Sequence, residues 1–322
     1  MRGRAGRHAG ALAFAAALAL APVAGCGQAR PGQPLALGDQ RLPRASASHV
    51  LVIVIENAES AEVLGNRSAP YLNSLARRYA IAGESYAITH PSLPNYLALT
   101  SGTTAGISSD CTGCRVRARN IVDQLESAGL AWKAYIEDVP RPCFSGTAAG
   151  GYVKKHNPFV YYTDLAGVAA RCRRLVGFQQ LAADLRRGRL PTLAWITPNL
   201  CDDGHDCGVE GGDRFLARTV PALVRELGPR GFLLITWDEG TSDRGCCRGA
   251  AHGGHVLTLV IGTDVRRGAH LRAPVDHYGV LATIEQALAL PALAHAAESA
   301  NGNLSALFTR APQITARAAR SP

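Results

Sequence analysis

A serine between two prolines is the first group in this sequence that could do chemistry. Ser92 lies in the segment THPSLPNYLALTSG, directly after Pro91 and two residues before Pro94. Proline suits the first turn of a helix, so we predict a helix with Ser92 at or next to its N-cap. The free N–H groups there stabilise a deprotonated oxygen and a bound phosphate. Ser92 is therefore a candidate nucleophile for phosphoryl transfer, or alternatively only a helix cap.

Acidic and amide side chains follow two apolar segments that predict buried strands. Glu56 and Asn57 follow HVLVIVI, and Asp238 and Glu239 follow GFLLITW. Parallel strands place their carboxyl ends at one edge of a sheet, so these groups should converge with Ser92. An all-oxygen ligand set suits one hard divalent cation, such as Mg²⁺, Ca²⁺ or Mn²⁺, which would lower the pKa of the serine hydroxyl. The alternative for the second acidic pair is a simple turn.

Basic side chains in several loops could contact or protonate a phosphate. His205, in DDGHD, and His255, in HGGHV, are candidates for phosphate contacts or for the acid that protonates the leaving oxygen. Lys155 and His156 could supply positive charge to the same phosphate, or form only a solvated basic turn. The remaining loop histidines considered are typical of surface positions: His90, His252 and His277.

The elements that would position these groups alternate between strand and helix patterns. Strands are predicted over residues 49–55, 82–88, 131–136, 192–197, 231–237 and 256–261. Helices are predicted over residues 69–80, from Ser92 onward, and over 120–128, 178–187, 213–227 and 276–290. This alternation predicts an α/β fold with a mostly parallel sheet sandwiched between helices. Residues 139–162 predict a long irregular connection.

The N-terminal residues have the features of an export signal. Three arginines precede an apolar run, and the run is followed by the sequence Val-Ala-Gly-Cys, whose last residue is Cys26. We expect a signal peptide over residues 1–25, with Cys26 lipidated as in a lipoprotein, or else cleavage nearby and release. The rest of the predicted organisation is a flexible tether over 26–48, a catalytic domain over 49–310 and a disordered tail over 311–322.

The cysteine content and the charge limit the cellular compartment and the kinds of partner that the protein can have. Eight cysteines remain besides Cys26, an even number that indicates disulfides in an exported chain. We expect the local pairs Cys111–Cys114 and Cys201–Cys207.

Removing residues 1–25 takes away three arginines and no acid, which lowers the formal charge from +9 to +6. A basic chain suits an anionic substrate or membrane surface, or is simply well solvated. Without a dense Lys/Arg run, no nucleic-acid partner is expected.

Seven segments, in this order and as a set, resemble one bacterial family. They run from about His49 to Pro291 and read VIVIEN, THPSLPNYLALTSG, KAYIEDVP, KHNPFVYY, PNLCDDGHD, TWDEG and GGHV. The set resembles the phosphoesterase family of acid phosphatases and phospholipases C, and within it short secreted actinobacterial acid phosphatases that act on phosphatidylinositol 3-phosphate. That family is similar in fold to alkaline phosphatase. The TxPN pattern of nucleotide pyrophosphatases also looks like the Ser92 segment.

The resemblance implies a role for each matching residue. It implies Ser92 as the nucleophile, Asn95 as a donor to a phosphate oxygen, and a phosphate pocket that contains His205 and His255. The implied metal ligands are Glu56, Asn57, Asp238 and Glu239. The full set of predicted substrate-binding residues is Asn95, His90, Lys155, His156 and Asp203.

One departure from alkaline phosphatase limits what the resemblance implies about metal. The DxxxH spacing of that zinc site is not reproduced, because Cys201 stands four residues before His205. We therefore expect one hard divalent cation, not two zinc ions.

The sequence thus predicts a monomeric, exported hydrolase of phosphate monoesters that works through a phosphoserine at Ser92. Its expected substrate is a phosphorylated small molecule or a phosphoinositide, at acidic to neutral pH. The protein would be held at the cell membrane through Cys26 if that residue is lipidated, and secreted otherwise. A phospholipase C-type phosphodiesterase is one alternative, although the chain is short. A non-catalytic phosphate- or lipid-binding lipoprotein is another, although it would need no nucleophile, paired acids and histidines together.

Overall fold

The structure, a computed structural model, describes residues 47–314. The predicted signal peptide, Cys26 and residues 26–46 of the predicted tether lie outside these residues, as does the end of the predicted tail, 315–322. Contacts with the domain reach slightly beyond its predicted limits of 49 and 310. The Arg230 N–H donates to Ser48 Oγ at 3.0 Å, and the Ile314 N–H donates to the Ala287 carbonyl at 2.8 Å.

Strands in the described chain are short and mostly apolar. In chain order they are β1 (Val50–Ile55), β2 (Ala80–Tyr86), β3 (Trp132–Ile136), β4 (Ala148–Ala149), β5 (Tyr152–Val153), β6 (Leu175–Val176), β7 (Leu193–Thr197), β8 (Phe232–Trp237), β9 (His255–Gly262), β10 (His270–Leu271) and β11 (Val275–Asp276). Nine of them form one sheet in the order β10-β2-β9-β8-β1-β7-β3-β6, with β11 also paired to β2, while β4 and β5 form a separate hairpin.

The large sheet is parallel except at β9, which confirms the mostly parallel prediction. Strand β1 lies at its centre between β7 and β8, and all six of its residues are buried. Strand β9 runs antiparallel to both β8 and β2. A parallel neighbour needs a crossover connection, usually a helix. The described connection from β8 to β9 contains only the short 3₁₀ turn Cys247–Gly249, so β9 returns in the opposite direction.

Helices cover both faces of the sheet. The α-helices of the described chain are α1 (Ser60–Val63), α2 (Pro70–Arg78), α3 (Ser92–Ser101), α4 (Ile121–Ser127), α5 (Thr163–Ala166), α6 (Ala169–Cys172), α7 (Phe178–Arg187), α8 (Gly208–Arg225) and α9 (His277–Ala287). Residues of α3, α4 and α9 pack with Val50, Val52 and Val54 of β1. Residues of α1, α2, α7 and α8 pack with Leu51, Ile53 and Ile55 on the opposite face. The alternation of β1 side chains therefore separates two apolar cores.

Helix α3 begins where the proline pattern predicts. Pro91 is the N-cap and Ser92 is the first helical residue. The helix ends at Gly102, whose φ of +71° is accessible to glycine at little cost. A β-carbon at Gly102 would also lie 2.3 Å from the Leu293 carbonyl oxygen. Both the backbone conformation and the close packing therefore favour glycine at this position.

Helix α8 begins at Gly208, five residues before its predicted start at Asp213. The sequence GVEGG discourages a helix by propensity, but tertiary contacts outweigh it. A β-carbon at Gly211 would lie 2.6 Å from the Cys201 carbonyl oxygen, so the glycine permits the first turns to pack against the loop that follows β7.

The disulfides of the described chain include both predicted local pairs, Cys111–Cys114 and Cys201–Cys207. The other two are Cys143–Cys172 and Cys246–Cys247. The predicted irregular segment 139–162 holds the β4–β5 hairpin and two short 3₁₀ turns. Across residues 47–314, no helix has both the length and the apolar character needed to cross a membrane.

Candidate active site

Ser92 lies at the carboxyl edge of the sheet, between two carboxylates and an ammonium group. Its Oγ donates toward Glu239 Oε1 at 3.1 Å and lies 3.3 Å from Glu56 Oε2. Lys155 Nζ donates to the same Oγ at 3.4 Å. Ser92 is fully buried, whereas the side chain of Lys155 is 23% exposed. The arrangement offers an acceptor for the serine proton and a cation for an incoming anion.

Strand alternation explains why two of the predicted acids lie on the α3 side of the sheet. Even-numbered residues of β1 and β8, such as Val54 and Leu234, pack on the α3 side of the sheet. Glu56 and Asp238 continue these series one position past the strand ends. The Asp238 N–H also donates to the Ile55 carbonyl at 3.0 Å, which holds the two strand ends together.

The acids form a buried cluster in which they repel one another. Burial, and then the charge of Asp203, raises the pKa of Glu56 well above its ordinary value. Burial, and then the charges of Glu56 and Glu239, does the same to the pKa of Asp238. Neither carboxylate oxygen of Asp238 has a hydrogen-bond partner among residues 47–314. Buried, unpartnered carboxylate oxygens are costly unless a cation or proton joins them.

His156 lies between two of these acids. Its Nε2 is 2.9 Å from Glu56 Oε1 and its Nδ1 is 3.2 Å from Asp203 Oδ2. These approaches are close, but neither is aligned as a hydrogen bond. The Tyr96 ring stacks on the imidazole at 5.4 Å, and the Tyr96 hydroxyl donates to Glu56 Oε1 at 3.1 Å. His156 thus contacts the acid cluster itself, in addition to its predicted position near the phosphate.

The residues fit a divalent cation in two overlapping ways. Glu56, His156 and Asp203 offer ligand atoms that all lie within 4.8 Å of one another. Glu56 also lies with Glu239 around Ser92 Oγ, beside the unpartnered oxygens of Asp238. The first group mixes nitrogen and oxygen donors, whereas the second is all oxygen. The predicted ligand Asn57 is exposed and lines a cavity together with Glu56 and Asp203, and its role as a ligand stays a prediction.

His90 and Lys155 form the partly exposed side of the serine site. His90 Nδ1 pairs with Glu239 Oε2, and His90 Nε2 donates to the Ser242 carbonyl at 3.1 Å. Partial burial opposes protonation of His90, but the hydrogen bonds to Glu239 and Ser242 and the charges of Glu239 and Asp243 together outweigh it and raise the pKa of the imidazole. Burial likewise opposes the charge of Lys155, but Glu56 and Asp110 raise its pKa. Both side chains therefore favour their cationic forms beside the serine.

Asn95 is not presented to the site as the resemblance implies. Its Oδ1 accepts from the N–H groups of Ile88 and Thr89, at 2.9 and 3.1 Å. Its Nδ2 donates to the carbonyls of Thr89 and Pro91, at 2.6 and 3.2 Å. The amide is fully buried and its donors are used by backbone. Asn95 braces the loop before Ser92 instead of facing a phosphate.

Neither of the two loop histidines predicted as catalytic forms a hydrogen bond to Ser92 within residues 47–314. His255 Nε2 donates to the Gly83 carbonyl at 2.7 Å, and its ring stacks on Tyr86 at 5.1 Å. The His205 ring lies 6.2 Å from that of His156. With Asn57, Glu56 and Asp203, His205 lines a cavity of about 340 Å³ on the α8 side. The structure therefore brings His205 to the acid cluster and leaves His255 outside it.

Local patterns missed several residues that position the site. Asp110 accepts the Leu93 N–H at 2.9 Å and pairs with Lys155 at 3.3 Å, so it orients the ammonium toward Ser92. Glu59 accepts from Ser242 N, Ser242 Oγ and His255 N, which holds the loop after Glu239. His277 is not at the surface as predicted: it is fully buried and its Nε2 donates to the Asp238 carbonyl at 2.6 Å.

Comparison with known proteins finds sequence relatives over most of the chain. A model of the phosphoesterase family matches residues 52–291. The chain is 34% identical over 272 residues to a phosphatidylinositol-3-phosphatase of Mycobacterium tuberculosis, covering 83% of this chain and 82% of that protein. It is 28% identical over 253 residues to an acid phosphatase of Aspergillus fumigatus, covering 74% of this chain but only 54% of that one.

The fold also resembles that of a solved protein. A protein of the alkaline phosphatase superfamily from Vibrio parahaemolyticus superposes with a TM-score of 0.51 at 13% identity, over 76% of this chain and 67% of that chain. At this identity the likeness concerns the fold alone, and it confirms the predicted alkaline-phosphatase-like α/β architecture.

Proposed function

The chain belongs to the phosphoesterase family, and on that premise we propose that it hydrolyses phosphate monoesters with Ser92 as the nucleophile. One observation carries the proposal. The Ser92 hydroxyl, at the N-terminus of α3, contacts both a carboxylate that can accept its proton and the ammonium of Lys155. Acid phosphatase and phosphatidylinositol-3-phosphatase are the names of the relatives, which supports a phosphomonoester as the substrate.

The proposed chemistry has two steps. Ser92 Oγ attacks phosphorus, its proton passes to Glu239, and the bond from phosphorus to the leaving oxygen breaks. Water then attacks phosphorus and gives a proton to the histidine that protonated the leaving oxygen, while the bond from phosphorus to Ser92 Oγ breaks, Glu239 returns its proton to Oγ, and phosphate leaves. Because Ser92 is buried, the phosphate would approach from the side of His90 and Lys155, its partly exposed neighbours. Lys155 would stabilise the charge on the phosphate oxygens. His90 and His205 are the candidates to protonate the leaving oxygen.

One divalent cation completes the proposal. We assign it to Glu56 and Asp238, because Glu56 contacts Ser92 Oγ, Asp238 has two buried, unpartnered oxygens, and Glu239 is needed as the acceptor of the serine proton. A bound divalent cation supplies charge neutralisation for phosphate and a lower pKa for the serine hydroxyl. His156 would then stay with Asp203, where it holds the orientation of Glu56.

The natural substrate we propose is a phosphoinositide phosphomonoester, by analogy with the mycobacterial relative. We also propose that the protein is exported, which the four disulfides within residues 47–314 support. Attachment to the membrane through Cys26 is a further part of this proposal. The mass of the mature N-terminus distinguishes a lipidated Cys26 from a released chain.

The test of the nucleophile is phosphate release by the wild-type protein and by the variant Ser92→Ala. The panel consists of phosphomonoesters, including phosphatidylinositol 3-phosphate, at pH 5 to 7. We expect the variant to lose roughly a thousandfold or more in kcat/KM, the scale typical of a lost covalent nucleophile.

Ser101→Ala is the matched control, because it removes a buried hydroxyl from the other end of α3, where Oγ bonds the Leu97 carbonyl. It should retain activity within a few-fold. Equal rates for wild type and Ser92→Ala would disprove the role of Ser92, and absence of turnover in both would disprove the hydrolase.

A further inference from the structure

A second cavity, of about 480 Å³, is lined by segments that are continuous in sequence with residues of the serine site. One wall contains Thr112 and Arg115, which follow Asp110 along the chain, and another contains Lys154, which directly precedes Lys155. Asp110 and Lys155 both belong to the serine site. Each wall therefore continues directly from a residue that positions or contacts Ser92.

Two disulfides hold these walls. The cavity is lined by Cys114, paired with Cys111, and by Cys143, paired with Cys172. The second pair ties the segment before the β4–β5 hairpin to the end of α6. A cavity whose walls are cross-linked loses little further conformational freedom when a ligand binds. It is thus pre-organised as a binding site.

The charge of the cavity is positive. Lys154 and Arg115 both line it, and no aspartate or glutamate from residues 47–314 does. Lys154 is only 6% exposed, and a buried ammonium without an acidic partner is costly. Burial, and then the neighbouring Arg115 guanidinium, lowers the pKa of Lys154. Two cations at one cavity are stabilised together by an anion.

The present contacts of Lys154 leave donors for such an anion. Its Nζ donates to the Thr112 carbonyl and lies 4.5 Å from the centroid of the Tyr161 ring. The cation–π contact offsets part of the burial cost, yet the ammonium has three donors. The buried hydroxyl of Tyr161, which also lines the cavity, has no hydrogen-bond partner in the described part of the chain. Donors from two side chains thus remain unused.

The geometry points to this cavity as the site for a second phosphate of the substrate, several bonds away from the phosphate ester that Ser92 attacks. The inference rests on the proposed function and adds to it a substrate class, molecules that carry two phosphates. Lys154 and Lys155 are consecutive in the 3₁₀ turn Lys154–His156 but have different partners, so the inference requires a ligand that spans from the reacting phosphate at Lys155 to a second phosphate at Lys154. The second phosphate is the phosphodiester of a lipid headgroup or a group on a soluble metabolite.

The test compares probes that differ in the second phosphate. Inositol 3-phosphate carries only the phosphomonoester, and glycerophosphoinositol 3-phosphate adds a phosphodiester. Dibutanoyl phosphatidylinositol 3-phosphate adds short acyl chains to that headgroup. We expect wild type to show a kcat/KM at least tenfold higher for the second probe than for the first. A further rise with the third assigns the site to lipid headgroups, whereas equal values assign it to the headgroup phosphate alone.

Three variants test whether the preference for a second phosphate arises in the cavity. Arg115→Ala and Lys154→Met should each lower the preference about tenfold, the scale of one charged hydrogen bond to phosphate, and leave kcat/KM for inositol 3-phosphate within about twofold. Because Lys154 is buried and its variant can misfold, Arg115→Ala on the exposed side decides the outcome. The matched control is Arg117→Ala, which removes an equal charge from an exposed residue outside the cavity. It should leave the preference unchanged.

Two results would overturn this inference alone: wild type that turns over both soluble probes equally, or a preference that falls equally in Arg117→Ala and Arg115→Ala. The second result would mean that general surface charge attracts the substrate. Failure of wild type to release phosphate from any probe would overturn the proposed function and this inference with it.

Discussion

Asn95 illustrates how one buried amide shapes the nucleophile. Its oxygen and nitrogen bind four backbone groups of residues 88–91, and those residues form the approach to Ser92. Each such bond contributes about 1 kcal/mol, and an unpaired buried group costs more. The amide therefore fixes the start of α3, so that the serine oxygen points toward Glu56 and Glu239.

Glu285 is a buried acid far from the catalytic chemistry. Its Oε1 accepts the Leu293 N–H at 2.9 Å, and its Oε2 has no partner within residues 47–314. Burial is the main cause that raises its pKa from 4.5 to about 8. The folded protein therefore favours the neutral acid. The resulting stability is fully present below the unfolded pKa and is lost as pH rises through 8.

We predict that Glu285→Gln removes this pH dependence. The variant should match wild type near pH 5 and become more stable than wild type by roughly 2–4 kcal/mol near pH 8, because each pKa unit corresponds to about 1.4 kcal/mol. Urea unfolding between pH 5 and 9 measures the difference. The exposed residue Glu210 supplies the control variant Glu210→Gln, which should follow wild type. A constant difference between Glu285→Gln and wild type at all pH values would contradict the prediction.

At the scale of elements, the site is made by strand ends that meet the start of one helix. Glu56 follows β1, Asp238 and Glu239 follow β8, and Ser92 begins α3. The even series of β1 and β8 place Glu56 and Asp238 on the α3 side of the sheet. Parallel neighbours bring the two strand ends together, and this clustering of acids is what calls for a cation.

We predict that chelation abolishes activity and that Mg²⁺, Mn²⁺ or Ca²⁺ restores it. Calorimetric titration of the metal-free protein should show at least a tenfold weaker Kd in Asp238→Asn, because one oxygen ligand loses its charge. His156→Gln should bind the ion within about threefold of wild type. The reverse pattern would place the ion with Glu56, His156 and Asp203. Full activity after exhaustive chelation would argue against any cation.

At the scale of the whole molecule, the disulfides within residues 47–314 join segments that lie outside the strands. Cys143–Cys172 joins residues 29 apart in sequence, whereas Cys246–Cys247 joins neighbours. A cross-link stabilises mainly by restricting the unfolded chain, and the effect grows with the length of the closed loop.

We predict that the double variant Cys143→Ser/Cys172→Ser loses roughly 3–4 kcal/mol of unfolding free energy, as expected for a loop of this length. Cys246→Ser/Cys247→Ser, which opens almost no loop, is the matched control and should lose far less. Urea unfolding under non-reducing conditions measures both. Equal losses would show that local strain or packing, not loop closure, controls stability here.

Much of the fold could be predicted from the sequence because its signals are local. Continuous apolar runs indicated the central strands, and alternation with helical patterns indicated a mostly parallel sheet. The reversal of β9 could not be predicted in this way, since it depends on a connection without a helix. The sequence also failed to predict the early start of α8, because the packing of Gly211 against the loop after β7 outweighs the low helix propensity of its first residues.

The sequence by itself determined which segments reach the active edge, because parallel strands end on one side and a proline-flanked serine starts a helix. It therefore predicted that Ser92, Glu56, Asp238 and Glu239 converge, whereas Lys155 and His156 were predicted near the phosphate only from their charge. Only the tertiary structure decided how these side chains pair. Ser92 and Glu239 lie 147 residues apart in sequence, so no local pattern encodes their contact. The same holds for the burial of Asn95 and His277, the turn of His255 toward Gly83, and the partnership of Asp110 with Lys155. Each is set by packing between distant segments, which exists only once the chain has folded.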